Sequence, residues 1–310
     1  MALYPLLFQP IVKKKIWGSE TWSLSGYGDD QSEVANGFLA GNTLSEVLEI
    51  YMDELVGQKV YDRFGNRFPL LFKLIDAQDD LSVQVHPSDA LAAREGLTGK
   101  TEMWYVTDAA PDASIILGFT HRTDAAEVEQ RLKENTITEA LQVVPVRQGD
   151  VAYIPAGTVH ALRHGTQVAE IQQTSDVTYR LYDYNRPGLD GRLRELHIPQ
   201  SLQALVYEAL PHPLTDYRRG QQGRTSLVRD EHFHTSLLRL AGPMECDYAD
   251  RDTFVVYMCV EGEVVLQCNA DEPVEDVTVK AGDTVLVPAS LNGIRLIPNG
   301  MTTLLEVYVP

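Results

Sequence analysis

The chain has 310 residues, 44% hydrophobic, 8% aromatic and 23% charged, with 22 Gly and 16 Pro, which excludes a disordered, collagenous or coiled-coil protein and fits two globular domains at about 100–200 residues each. Lys and Arg number 26 against 44 Asp and Glu, a formal charge of -18, and this argues against nucleic-acid or anionic-membrane partners because phosphate surfaces demand clustered cations. Cys246, Cys259 and Cys268, an odd set without CxxC spacing, form neither a disulfide framework nor a zinc finger and fit a reducing cytoplasm.

The opening MALYPLLFQPIVKKK places its apolar residues before its lysines, the reverse of a signal peptide, and no run of about 18 apolar residues follows that would span a bilayer. A cytoplasmic location is expected. Thr43-Leu-Ser-Glu46 is a capping box, which predicts that a helix with Val47, Leu48, Tyr51 and Leu55 on one face starts there. Alternating or apolar runs at Leu70–Ile75, Leu81–Val85, Met103–Val106, Ile115–Phe119, Val151–Ile154, Val168–Ile171 and Thr178–Tyr184, punctuated by Gly, Pro and Asp, predict strands. Helical spacing recurs near Thr123–Glu134, Thr138–Val143 and Pro199–Leu210, so the expected fold is mainly β with a few decorating helices. Residues 211–230 lose apolar periodicity and gather Arg, Gly and Gln, reading as a linker or exposed loop, with a second block of strands after it.

That second block contains Gly282-Asp-Thr-Val-Leu-Val-Pro288-Ala289, an echo of Gly149-Asp-Val-Ala-Tyr-Ile-Pro155-Ala156. One barrel unit therefore occurs twice. Eleven residues after Gly149 stands His160, whereas eleven after Gly282 stands Gly293, so the first copy keeps a potential ligand that the second has lost. The expected organisation is an active domain over residues 1–210, which the resemblance described below makes the metal-bearing catalytic one, the linker at 211–230 and a degenerate second domain over 231–310.

In an extended segment Ser82, Gln84 and His86 share one face and Leu81, Val83 and Val85 the other; by itself this is an ordinary half-buried strand. In the run Gly149-x5-Pro155-x-Gly157-x2-His160, a tight turn, a strand and a second turn deliver one imidazole to a fixed place. This run is similar to the second signature motif of the cupin superfamily, whose first motif normally supplies two histidines spaced i, i+2 and then a glutamate. Here Gln84-Val-His86 with Glu102 stands in that place, Gln replacing the first His. LSVQVHPSD, the Lys100-x-Glu102 pair, GDVAYIPAGTVHAL and SDVTYRLYDYNR occur in the order of the type I phosphomannose isomerases, and the chain resembles that family's short bacterial subgroup, with motifs over about residues 4–200 and architecture alone beyond.

The resemblance implies two cupin-type barrels, the first with one divalent metal ion, zinc being the usual one, held by Gln84, His86, Glu102 and His160. Two imidazoles, a carboxylate and a neutral amide form a mixed N/O site with one ligand charge, which leaves the ion strongly Lewis acidic. The implied reaction interconverts mannose 6-phosphate and fructose 6-phosphate through a cis-enediol, so the partner is a small sugar phosphate. Arg180 matches the family arginine and is assigned to substrate binding and to stabilising the enediolate, since a guanidinium stays protonated. Lys100 is assigned as a proton shuttle, Asp176 as the carboxylate that positions Arg180 or a water, and Lys73 and Ser82 as substrate contacts; either Lys73 or Arg180 grips phosphate. Many members carry a histidine before the lysine that corresponds to Lys100; here it is Gly99.

Two other readings compete: a cupin epimerase or oxidoreductase using redox iron or manganese, and a non-catalytic sugar-binding cupin. His232-x-His234 lacks an accompanying Glu and Pro-x-Gly-x-x-His run and reads as an exposed edge strand, while His164 is placed at the cavity rim. Trp17 and Trp104 read as core or pocket wall. No Gly-rich phosphate cradle indicates a nucleotide, and no feature of the sequence fixes the oligomeric state.

Overall fold

Alternating apolar residues broken by turn residues can bury one face only by pairing with other strands, and a computed structural model describing residues 2–268 and 275–310 shows this pairing to be almost entirely antiparallel. The predicted strands form with somewhat different ends: Leu70–Ala77, Val83–Val85, Glu102–Ala109, Ser114–Phe119, Val151–Ile154, Thr166–Gln173 and Tyr179–Tyr182. Thr43 caps the helix Leu44–Val56 in a reciprocal capping box with Glu46. Asp124 caps the helix Ala125–Glu134 through the amide of Glu127. Two predicted helices change. Residues 137–140 make one 3-10 turn and Leu141–Pro145 is a strand, and the third helix spans only Ile198–Ala204.

The chain divides into two compact units. One holds residues 12–21 and 73–215. Its larger sheet runs in the order Val151–Ile154, Glu102–Ala109, Thr166–Gln173, residues 73–77, residues 18–21 and residues 12–15. Its five-stranded sheet runs Leu141–Pro145, Ser114–Phe119, His160–Leu162, Val83–Val85, Tyr179–Tyr182. Trp17, Ile75, Trp104, Leu117, Ile154 and Leu162 fill the space between them. The outer face of the smaller sheet, with Val83, Val85 and Ala161, packs on Val128, Ile137 and Leu205 from the helical decorations.

The other unit holds the described residues of 1–11, 22–72 and 216–310, so the division is not the single cut near residue 210 that the sequence suggests. Leu6 and Leu7 pair with Leu286 and Val285 at a sheet edge, and the carbonyls of Leu55 and Val56 accept from the amides of Ala289 and Phe254. These long-range bonds tie the N-terminal segments to the C-terminal strands. The expected linker at 211–230 is also shorter, since Gly223–Arg229 is a strand paired with His234–Leu240. His234 thus begins an internal strand, paired on its other side with Thr302–Tyr308. A four-stranded sheet, Met244–Asp247, Gly293–Pro298, Glu263–Cys268, Val277–Lys280, completes this unit around Leu238, Tyr257, Leu266, Ile294 and Leu304.

Candidate metal centre and its cavity

Antiparallel register brings the motif residues together. His160 opens the short strand His160–Leu162 directly opposite Gln84, and Arg180 lies opposite Gln84 on the other side. Glu102 opens its own strand opposite Ile154 and Gln172. The strand Val83–Val85 is therefore internal to its sheet, with Val83 and Val85 turned to the helices and Gln84 to the barrel interior. Strand geometry begins only at Val83, and Leu81 joins Ser82 on the cavity wall instead of opposing it.

His86, Glu102 and His160 are 1%, 0% and 0% exposed, and one ligand atom from each lies within 4.8 Å of the others. Nε2 of His86 is 3.4 Å from Glu102 Oε2, and Nε2 of His160 is 3.4 Å from Glu102 Oε1. His160 Nδ1 lies 2.8 Å from the carbonyl of Thr158; donating there leaves Nε2 with its lone pair facing the cluster. Burial, reinforced by the Lys100 ammonium, pushes the His86 imidazolium pKa down to about 3, and burial likewise lowers that of His160. Burial would raise Glu102, but the Lys100 ammonium above all, with the contact from His86, outweighs it and holds the carboxyl well below its ordinary value. Two neutral imidazoles and a carboxylate are the protonation states that a divalent cation requires.

The donor set fits a metal. Both Glu102 oxygens are buried and accept no hydrogen bond of good geometry, although Lys100 Nζ stands 2.8 Å from Oε2 and 3.0 Å from His86 Nε2. Gln84 Nε2 lies 3.3 Å from His160 Nε2, and rotating the near-isosteric amide brings its oxygen to the same place. Three of the four sequence-derived ligands thus form the cluster and the fourth touches it.

A cavity of about 270 Å³ adjoins the centre, and every remaining predicted site residue lines it: Lys73, Ser82, Lys100, Asp176 and Arg180. Lys73 Nζ is 3.1 Å from Glu170 Oε1, whose other oxygen accepts from Trp104 Nε1 at 2.8 Å. Burial favours the neutral amine at Lys73, but Glu170, Glu20, Asp176 and Glu102 together reverse this and raise its pKa. Burial, aided by Arg194, lowers that of Arg180. Trp17 and Trp104 are both core and cavity wall. His164 is not at the rim; it faces Asp80 Oδ1 at 3.2 Å and Asp112 Oδ2 at 3.6 Å.

Sequence reasoning missed Lys15, Glu20, Glu170 and Arg194 on the cavity wall. Glu170 did carry a signal, a carboxylate inside the apolar run Val168–Ile171. Arg194 carried none. Gly99 is explained by space: a Cβ there would come within 2.5 Å of the Asp89 amide nitrogen and 2.6 Å of its carboxylate, so a histidine cannot fit without moving that segment.

A family model of the catalytic domain of type I phosphomannose isomerase matches residues 6–121. Mannose-6-phosphate isomerase ManA of Bacillus subtilis is 36% identical over 316 residues, covering 96% of each chain. The chain belongs to the type I phosphomannose isomerases. A second member, the mannose-6-phosphate isomerase of Streptococcus mutans, is 33% identical over 93% of both chains. The crystal structure of mannose 6-phosphate isomerase from Bacillus subtilis superposes with a TM-score of 0.83 at 32% identity, covering 98% of this chain and 99% of that one. A putative mannosephosphate isomerase from Archaeoglobus fulgidus shares the fold, with a TM-score of 0.79 at 21% identity over 100% and 99% of the two chains. Among the described residues, no helix is long and apolar enough to cross a membrane.

Proposed function

We propose that the chain is a mannose-6-phosphate isomerase that interconverts mannose 6-phosphate and fructose 6-phosphate by moving a proton between C1 and C2 of the open-chain sugar. The observation that carries this reading is the convergence of His86, Glu102 and His160, in metal-ready protonation states, on a cavity also lined by Lys100 and Arg180. A divalent ion held by Gln84, His86, Glu102 and His160, zinc by family resemblance, supplies Lewis-acid stabilisation of the oxygens that become negative in the enediol.

The chain's own residues do the rest. Arg180, registered opposite Gln84 and on the cavity wall, donates to a developing oxyanion from a fixed position. Lys100, whose Nζ faces His86 and Glu102, takes the proton from one carbon as the free amine and returns it from the resulting ammonium to the other, so that it ends as it began. Ser82 and Asp176 line the cavity and orient sugar hydroxyls. Lys73 is neutralised by Glu170; its role is to fix that carboxylate and the Trp104 wall, and phosphate is gripped elsewhere. The unit with this centre is catalytic, and the C-terminal unit, with Gly293 at the position equivalent to His160, is structural. The cysteine usage supports a cytoplasmic location.

The test is a coupled assay for fructose 6-phosphate formed from mannose 6-phosphate by zinc-loaded protein, with metal analysis on the same sample. Turnover with one ion per chain is expected. Binding of the sugar phosphate without turnover would replace this reading with the sugar-binding cupin, and activity restored by Fe(II) but not zinc would replace it with a redox enzyme.

A further inference from the structure

Arg194 is one of five cationic side chains on the cavity wall, which also carries three carboxylates, in a chain whose net charge is -18. Three of those cations are matched by carboxylates: Lys15 faces Glu20 at 3.7 Å, Lys73 faces Glu170 at 3.1 Å and Lys100 faces Glu102 at 2.8 Å. Arg180 and Arg194 are arranged differently. Arg194 is pinned along one edge, Nε donating to Asp183 Oδ2 at 2.6 Å and Nη2 to Oδ1 at 2.5 Å. Asp183 is 5% exposed and also accepts from Arg186 Nε at 3.2 Å, while Arg186 reaches Asp79 Oδ2 at 3.2 Å through Nη1. An arginine clamped by its Nε edge keeps a fixed fork and offers its Nη1 amine, the geometry that suits phosphate oxygens.

The backbone places the two arginines side by side. The segment from Arg194 to His197 runs along Tyr179–Tyr182: His197 N–H donates to the Arg180 carbonyl at 2.8 Å, Arg180 N–H donates to His197 Nδ1 at 3.2 Å, and Arg180 Nη1 donates to the Glu195 carbonyl at 2.8 Å. Arg180 is tied by register to Gln84 and hence to the metal donors; Arg194 is tied to Arg180 through its neighbour Glu195. A substrate with its reacting carbons over Gln84 and Arg180 therefore has its far end within the reach of Arg194.

We propose that Arg194 is the phosphate anchor of this isomerase, a substrate-binding residue, and that Asp183 is a positioning residue that holds its guanidinium. The proposal rests on the isomerase reading above and assigns to Arg194 the phosphate grip that motif reasoning gave to Lys73 or Arg180. A phosphomonoester carries about -1.5 to -2 charges near neutral pH, which suits the two neighbouring guanidinium groups of Arg180 and Arg194 on the cavity wall.

The test uses the full zinc-loaded chain and its Arg194→Gln, Arg194→Lys and Asp183→Asn variants, with circular dichroism to establish folding. Arg194→Gln should raise KM for mannose 6-phosphate at least 10-fold, leave kcat within about 3-fold and weaken competitive inhibition by inorganic phosphate in proportion. Arg194→Lys should recover part of both losses, and Asp183→Asn should shift both in the same direction by a smaller factor. KM and phosphate inhibition within 2-fold of wild type in Arg194→Gln would overturn the proposal, as would a fall in kcat with KM unchanged. Should wild-type protein fail to turn over mannose 6-phosphate, calorimetric titration of inorganic phosphate into wild type and Arg194→Gln separates the two questions: weaker binding to the variant supports the anchor even though the isomerase reading has failed, and equal binding removes it.

Discussion

The two barrels share one frame and differ in what fills it. In each, a glycine at positive φ, 84° at Gly149 and 97° at Gly282, opens a turn, and its aspartate accepts from the amide three residues earlier, Arg147 N–H to Asp150 at 2.7 Å and Lys280 N–H to Asp283 at 2.9 Å. The turn then bonds to the neighbouring strand in the same way, through Gly149 to Val106 and Gly282 to Cys259. Ile154 pairs with Glu102 in the first barrel, and Val287 with Val255 in the second. Trp104 lies opposite Glu170 and donates to it; Tyr257 lies opposite Glu306 and donates to it. The second barrel thus keeps the aromatic–carboxylate pair, with Arg224 as its cation at 2.8 Å, but carries Val255 and Gly293 at the positions of Glu102 and His160. A barrel without a metal can keep its buried carboxylate provided a cation and hydroxyls satisfy it, here Arg224, Tyr248 and Tyr257.

Replacing a ligand tests this contrast most severely. Glu102→Gln should lower kcat/KM for mannose 6-phosphate by about 1,000-fold or more and bring zinc content well below one per chain, because it removes the only anionic donor of the set. Gly293→His, by contrast, should leave the stoichiometry at one ion per chain; two ions by elemental analysis would show that the second frame still holds a usable site. Chelation of the wild type should abolish turnover and leave a cooperative unfolding transition with unchanged far-ultraviolet dichroism, since each barrel buries an apolar core of its own. Loss of that dichroism would make the ion structural.

Arg180→Lys keeps the charge and loses the fork, and steady-state kinetics should register a fall in kcat of at least about 10-fold. Glu306→Gln should cost about 2 kcal/mol in urea unfolding, below the usual penalty for breaking a buried pair because Arg224 is a third exposed, with kcat unchanged. A drop in kcat comparable to that of Arg180→Lys would show that the barrels are functionally coupled.

The smallest effect is expected at alkaline pH. Burial raises Tyr248 and Tyr257 and pushes the Cys259 thiol up to about 12. Between about pH 9 and 12 the unfolded chain has released protons that the folded chain retains, so stability is full below the ordinary thiol pKa and declines as pH rises, by about 1 kcal/mol per pH unit for Cys259. Urea midpoints at pH 8 and 10.5 check the sign, and an aromatic disulfide at pH 8 should find Cys259 unreactive in the native protein.

The local features were legible in the amino-acid order because short-range physics determines them. The Thr43–Glu46 cap, the turns at Gly149 and Gly282 and the 3.6- and 2-residue periodicities need only neighbours a few residues away, and the ligand residues stood inside such segments. Resemblance supplied the pairing of Gln84, His86, Glu102 and His160, which spacing alone does not specify. Of the helix expected over Thr138–Val143, the first residues make a 3-10 turn and the rest became a strand because its neighbour Ser114–Phe119 supplies hydrogen bonds that propensity ignores.

Tertiary structure alone decided where the chain divides and what completes the cavity. The first residues and the helix Leu44–Val56 belong with the C-terminal strands because backbone groups hundreds of residues apart satisfy one another there, and no local signal records such a bond. Arg194 sits in the polar run Gly191-Arg-Leu-Arg194-Glu and becomes part of the site only when Asp183 clamps it and Glu195 bonds Arg180. Side-chain identity sets which charges a chain can offer; strand register and long-range closure set which of them face the same few ångströms of space.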